Sequence, residues 1–220
     1  MHLLEAEELY RFFHTGEEEV KALRGVDLVL DESEMIVLVG PSGSGKSTLL
    51  HCLAGLDDPS GGTVRVMQKT MSRQPEITKT RLRAAYMGVM RQKDNLISHL
   101  TVGENMNLAR SLVVNNKSPN SNNILDRIGI AKRATSLPAQ LSGGELARAG
   151  LAVALACNPP ILLLDEPTGE VDGETESSIL DLLDDYQRGG GAVVIATHNL
   201  AVARRATHVL KMADGKIVYD

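Results

Sequence analysis

Apolar and polar positions alternate near the start of the chain and then give way to short, wholly apolar runs. Val26, Leu28 and Leu30 alternate with Asp27, Val29 and Asp31, the period of a strand with one buried face. Residues 1–30 are therefore predicted as an antiparallel flank, with turns at His14-Thr15-Gly16 and Glu17-Glu18-Glu19. Ile36–Val39, Ile161–Leu164 and Ala192–Ala196 are continuous apolar runs, as expected of strands covered on both faces of a parallel sheet. The first leads through a glycine-rich loop into an apolar helix closed by Gly55. After a turn at residues 57–62, Thr63–Met67 alternates as a short strand, while residues 68–83 are polar and basic and match no element. From Ala84 to Leu112 the spacing becomes helical, clearest over residues 95–109, with Thr101 as an N-cap ahead of Glu104.

Asn115–Asn123 reads as a polar surface loop among helices. A long apolar helix follows Leu141-Ser142-Gly143-Gly144-Glu145 and stops before Asn158-Pro159-Pro160. Glu174–Arg188 is amphipathic, with Ile179, Leu182, Leu183 and Tyr186 on one face, and glycines 189–191 end it. Val209–Met212 and Ile217–Tyr219 flank Asp214-Gly215, a hairpin signal. Three strand–loop–helix units imply an α/β fold: a mainly parallel sheet flanked by helices, with the antiparallel strands as a side sheet. The 220 residues then form one domain. Residues 1–82 and 156–220 make its core and side sheet, and 83–155 an inserted helical subdomain.

Composition narrows the function. With 43% hydrophobic and 23% charged residues the chain can bury a sizeable core. A net charge of −5 argues against a nucleic-acid-coating surface, which is basic. Cys52 and Cys157 stand singly in apolar helical stretches and read as small core residues. No apolar run approaches the roughly 18 residues of a membrane span and no signal peptide opens the chain, so the expected address is the cytoplasm.

The chemistry starts at Gly40-Pro41-Ser42-Gly43-Ser44-Gly45-Lys46-Ser47, which fits G-x-x-x-x-G-K-[ST] between a strand and a helix. That is a P-loop in its required context. Its glycines let backbone N–H groups surround an anion, and the helix aims its positive end at the same point. Lys46 would reach the β- and γ-phosphates of a nucleotide, and Ser47 would offer its hydroxyl to Mg²⁺. Asp165 and Glu166 end the second apolar strand at the edge where α/β proteins bind ligands. The aspartate suits a partner of Mg²⁺ and the glutamate a base for water. Thr197-His198 closes the third strand at that edge. The other histidines (His2, His14, His51, His99 and His208) show no metal spacing.

Two features stay open on pattern alone. Ser142 and Glu145 have capping-box spacing, so the segment could be only a well-capped helix. Gly143 and Gly144 nevertheless weaken a first turn and suit close approach of a phosphate. Phe12 and Phe13 are the only phenylalanines and serve either strand packing or base stacking.

The ordered set Gly40–Thr48, Gln92, Leu141–Glu145, Ile161–Thr168, Asp172 and His198 resembles the ATP-binding-cassette (ABC) ATPases over essentially the whole chain. LSGG between a P-loop and LLLDEPT is specific to that family. GEEEVKALRGVDL, GLDDPSGGTV and SHLTVGEN look most like the ATPases of lipoprotein-release and macrolide-export systems. The resemblance implies ATP and Mg²⁺ as ligands and assigns roles by position. Phe13 stacks on adenine; Ser42, Gly43, Ser44, Gly45, Lys46, Ser47 and Thr48 hold the phosphates. Gln92 senses Mg²⁺ and the γ-phosphate, with Ser47 and Asp165 completing the metal site. Glu166 polarises the attacking water, His198 holds the γ-phosphate and Asp172 bridges the dimer. Ser142, Gly143 and Gly144 contact ATP held by the opposite subunit.

Arg91, the GEVD at 169–172, Glu145-Leu146-Ala147-Arg148 and Val153 depart from the usual pattern, though no catalytic group is lost. The implied partners are a second copy of the chain and an integral membrane permease, with the ATPase peripheral on the inner face of the membrane. The competing reading is a soluble ABC ATPase acting on nucleic acid or ribosomes. The acidic charge and the lack of long coiled-coil insertions or a tandem cassette speak against it.

Overall fold

The computed structural model describes residues 2–15, 18–113, 122–169 and 171–218. Two sheets organise it. An antiparallel sheet of order β2-β1-β4-β5 is built from β1 (Leu4–Thr15), β2 (Glu18–Leu30), β4 (Gly61–Val66) and β5 (Lys69–Thr70). A six-stranded sheet has the order β10-β9-β3-β8-β7-β6. Its strands are β3 (Met35–Val39), β6 (Met87–Met90), β7 (Ile161–Asp165), β8 (Ala192–Ala196), β9 (His208–Ala213) and β10 (Lys216–Val218). All neighbours in this sheet are parallel except the β9–β10 hairpin. The hairpin turns on Asp214 (φ 47°) and Gly215 (φ 75°), the left-handed pair such a turn needs. The α/β class and the antiparallel side sheet expected from the pattern are both present.

Strand periodicity divides the core in two. Ile36, Leu38, Ile161, Leu163, Val194 and Ala196 face α1 (Lys46–Leu53), which lies between the two sheets with Leu49, Leu50, Cys52 and Leu53 buried. Met35, Val37, Leu162, Leu164, Val193 and Ile195 face the other side, toward α3 (Val102–Ser111), α4 (Asn122–Arg127), α5 (Gly143–Leu155) and α6 (Gly173–Arg188). Both faces are therefore covered, which explains why β7 and β8 contain no polar residue before Asp165. Cys52 sits in this core, and burial pushes its thiol up to about 12. Cys157 is half-buried and donates to the Ala109 carbonyl. Among the described residues no helix is long and apolar enough to cross a membrane.

Three local outcomes differ from the pattern reading. Residues 68–83, whose polar and basic pattern matches no element, form β5 and most of α2 (Glu76–Tyr86). α2 buries Leu82 in the core and is tied to the turn after α1 by the Lys79–Asp58 pair at 3.0 Å, while Lys79 and Arg83 pair with Glu76 of the same helix at 3.2 and 2.6 Å. Met87–Met90 lies inside the range expected to be helical, yet it forms β6 and pairs in parallel with β7. Gly88 is what lets α5 cover this edge, since a Cβ there would lie 2.1 Å from the Ala154 carbonyl oxygen.

The helical spacing over 95–100 is also misleading. The buried Asn105 side chain accepts from the Ile97 N–H at 2.8 Å and donates to the carbonyls of Leu100 and Thr101 at 3.0 and 2.9 Å. That satisfies the loop's backbone without a helix, and α3 starts only at Val102, capped by the Thr101–Glu104 box. Gly16 and Glu17, residues 115–121 of the expected polar loop, Glu170 and Tyr219 lie outside the described residues. Glu18 and Glu19, expected in a turn, open β2, and Asn122 and Asn123, expected in the loop, open α4.

Candidate active site

β3, between β8 and β9, delivers Gly40 to the sheet's C-terminal edge, and the loop to Ser47 runs straight into α1. Gly45 has φ 102°, and a Cβ on it would lie 2.4 Å from the Ala22 carbonyl oxygen of β2. Only glycine lets the loop press this closely on the side sheet while turning into the helix. Lys46 arches back over its own loop, with Nζ donating to the carbonyls of Gly40 (2.8 Å) and Pro41 (2.9 Å).

Facing this loop, Asp165 ends β7 with 5% of its surface exposed. Burial raises its carboxyl pKa. The Ser47 hydrogen bond opposes that, the Glu166 charge adds to it, and the positive charges of His51 and Lys46 oppose it again; the net result is upward. Glu166 follows in the left-handed region (φ 50°), its N–H bonded to the Ala196 carbonyl at 2.9 Å. Its carboxylate accepts at Oε1 from the His198 N–H (3.2 Å), with the His198 ring Nδ1 2.7 Å away, and at Oε2 from the Thr197 hydroxyl (2.8 Å). The His198 side chain is 77% exposed against 16% for Glu166, so the ring's far nitrogen is open to the crevice.

These residues share one cavity of about 960 Å³, lined by Phe13, Ser42–Thr48, Gln92, Asp165, Glu166 and His198. Its walls join both sheets with the loop after β6. Gly143 lines a second cleft of about 340 Å³, which it shares with Gln92, Glu166 and His198. Ser142, Gly144 and Asp172 line neither cavity. Ser142 caps α5: its Oγ accepts from the Glu145 N–H (3.3 Å), and Glu145 accepts in turn from the Ser142 N–H (2.9 Å). Asp172 caps α6 by accepting from the Thr175 N–H and hydroxyl at 2.9 and 3.0 Å.

The donor set suits a nucleotide polyphosphate with a hard divalent cation. Ser47 and Asp165 supply oxygen ligands side by side, with the Gln92 amide on the same wall. Among the described residues no cluster of three His, Cys, Asp or Glu could hold a metal alone. A hydroxyl and a carboxylate side by side fit Mg²⁺, which keeps waters and takes one or two protein oxygens besides phosphate.

Two residues, Arg11 and Thr197, support the site without belonging to any motif. Arg11 lies over the Phe13 ring and Asp57 grips it; strand alternation puts positions 11 and 13 on one face, which was the available signal. Thr197 has no sequence signal beyond its place before His198, yet its hydroxyl donates to Glu166. Among the departures, Arg91 is exposed: its N–H is held by Asn95, its guanidinium reaches the Asp94 carbonyl, and the side chain lines a groove with Val153. Neither residue lines the phosphate cavity.

A P-loop on a parallel sheet, facing an acidic strand end and accompanied by a capped SGG helix, defines a nucleotide-hydrolysing cassette. Residues 23–169 match the ABC transporter family, and the chain belongs to it. It is 37% identical to the lipoprotein-releasing system ATP-binding protein LolD of Legionella pneumophila (strain Lens), covering 98% of this chain and 96% of that protein. It is 40% identical to the uncharacterized ABC transporter ATP-binding protein YbbA of Escherichia coli (strain K12), with the same coverage. The fold superposes on the dimeric structure of MJ0796, a bacterial ABC transporter cassette, with a TM-score of 0.92 and 32% identity over 98% of this chain and 97% of that one. The same cassette is known as a dimer in a post-hydrolysis state bound to ADP and Pi. The chain is thus an ATP-hydrolysing subunit of a transporter rather than an ATPase of nucleic acid or ribosomes.

Proposed function

We propose that two copies of this chain close head to tail around two ATP molecules and so drive an integral membrane permease from the inner face of the membrane. The observation that carries this is the convergence of P-loop, acidic strand end, His198 and Gln92 on one cavity while Ser142 and Gly144 lie outside it. One chain supplies phosphate cradle, base and metal ligands; the remaining charge clamp on the γ-phosphate comes from the neighbour's Ser142–Gly144. ATP favours closure because it binds the closed pair better than the open one.

Within each site Phe13 stacks on the adenine, and Ser42–Thr48 wrap the phosphates. Lys46 exchanges its loop carbonyls for the β- and γ-oxygens. Ser47, Asp165 and Gln92 hold Mg²⁺, which when bound offsets charge on the β- and γ-phosphates. Glu166 accepts a proton from the attacking water, His198 holds the γ-phosphate, and Asp172 bridges the two copies. Positioning and charge neutralisation, rather than covalent chemistry, carry the reaction. The permease docks beside Gln92, in a groove of about 360 Å³ whose lining includes Leu56, Val89 and Leu112. The permease, and not this chain, chooses the cargo.

Glu166→Gln tests the reading. Hydrolysis falls by about 10²- to 10⁴-fold, the contribution of a general base, and ATP with Mg²⁺ converts the variant to a dimer on size-exclusion chromatography. A variant that stays monomeric at saturating ATP overturns the sandwich.

A further inference from the structure

The Glu166 carboxylate is held by donors of two different kinds. On Oε1 the His198 ring is an exposed group, free to turn toward solvent. On Oε2 the donor is Thr197, whose relative exposure is 0%. Its β-branched side chain is stiff at χ1, and its backbone N–H is tied to the Leu38 carbonyl of β3 at 3.1 Å. The direction of its hydroxyl proton is also determined. Thr197 Oγ1 accepts from the Asn199 N–H at 3.0 Å, and an ionised carboxylate can only accept, so the proton points at Glu166 Oε2. Asn199 is anchored in turn, with Nδ2 donating to Glu176 Oε1 of α6 at 3.1 Å and Oδ1 accepting from the Ala201 N–H at 2.8 Å. A continuous hydrogen-bonded chain, Glu176–Asn199–Thr197–Glu166, thus runs from α6 to the base.

We propose that Thr197 is the positioning residue of the hydrolytic base: its hydroxyl fixes the Glu166 carboxylate in place whatever the His198 ring does. The inference rests on Glu166 being that base. The His198 backbone N–H also reaches the carboxylate, but only at Oε1 and at 3.2 Å; Oε2, and with it the orientation of the carboxylate plane, is left to the Thr197 hydroxyl at 2.8 Å. A carboxylate held at one oxygen alone swings about its side-chain torsions, and a displacement near 1 Å of a reacting group costs on the order of 10²-fold in rate. Substrate binding makes no use of the threonine, so its removal acts on turnover alone.

The test is steady-state ATP hydrolysis by the purified chain with Mg²⁺, comparing Thr197→Val, Thr197→Ala and Thr197→Ser. Valine and alanine lower kcat by about 10- to 100-fold with KM for ATP within about twofold, and serine, which restores the donor, brings kcat back to near the native value. In a Glu166→Gln background, Thr197→Val lowers the residual rate no further, because two residues acting as a unit are not additive. A further loss in that background, a rise in KM matching the fall in kcat, or native kcat in Thr197→Val overturns the proposal. So does loss of the fold in both valine and alanine variants, which would assign the hydroxyl to stability. If Glu166→Gln itself hydrolyses ATP at the native rate, the reading of Glu166 as base fails instead.

Discussion

The Arg11 guanidinium lies 4.3 Å from the centroid of the Phe13 ring, and Asp57 holds it there through two contacts of 2.8 Å. Arg11 and Phe13 come from β1, while Asp57 belongs to the turn after α1, so the end of the P-loop helix fixes the cation that backs the aromatic platform. Arg11→Leu or Asp57→Ala weakens ATP binding by about two- to fivefold, the equivalent of an exposed cation–π contact. Phe13→Ala weakens it by about 5- to 150-fold, the range of one base–aromatic stack. Calorimetry with ATP and with inorganic triphosphate separates the effects. Triphosphate binding stays native in all three variants, and an equal loss for both ligands would mean that the cluster supports the loop and not the base.

Gly45 and Gly43 both have positive φ but differ in what surrounds them. A Cβ on Gly45 meets the Ala22 carbonyl oxygen at 2.4 Å, whereas one on Gly43 meets nothing within 4 Å. Gly43→Ala therefore costs only the left-handed strain of about 1–2 kcal/mol. Gly45→Ala adds a clash with sheet backbone that cannot yield. Thermal unfolding of both variants should give the larger drop in Tm for Gly45→Ala, and nucleotide binding should be lost there first.

The legible parts of this chain were those where one local signal had one physical cause. Ile161–Leu164 contains no polar residue because both its faces are covered, and Ser142 with Glu145 announced a capping box that is present. The P-loop and the strand-end carboxylates were readable because strand polarity sends Gly40 and Asp165 to the same edge. The sequence misled where tertiary contacts supplied what the local pattern lacked. Residues 95–100 have helical spacing, but Asn105 satisfies their backbone from within the core. Residues 76–86 show no apolar stripe, yet Leu82 enters the core while Lys79 pairs with Asp58 and Arg83 donates to the Gly55 carbonyl. Met87–Met90 is too short to declare itself, and only its pairing with β7 makes it a strand.

The cap of α5 is sensitive to acid. The Ser142 N–H, followed by Arg133 at 2.8 Å, lowers the Glu145 carboxyl from 4.5 to about 2. A folded-state pKa below the unfolded one means that the stabilisation is complete above pH 4.5 and is lost as pH falls toward 2. Glu145→Gln keeps a cap acceptor but does not titrate, so its stability falls less steeply across that window. Urea unfolding at a series of pH values reads this directly. The Arg133 part shrinks in high salt, because the pair is at the surface.

The trans assignment of Ser142 gives the sharpest test of the paired site. Ser142→Arg puts a bulky cation where the neighbour's γ-phosphate would dock, so it stops hydrolysis while leaving ATP binding by the single chain intact. Glu166→Gln stops hydrolysis for a different reason. Mixed in equal amounts, the two inactive proteins form some dimers in which one site combines a native Glu166 from one copy with a native Ser142 from the other. Random pairing makes half the dimers mixed, each with one intact site of two, so the mixture recovers about a quarter of native activity if the copies associate through a two-fold symmetric contact and the sites act independently. Were Ser142 to serve the site of its own chain, every site in every dimer would carry one defect. The mixture would then stay inactive, and the model of reciprocal completion would have to be abandoned.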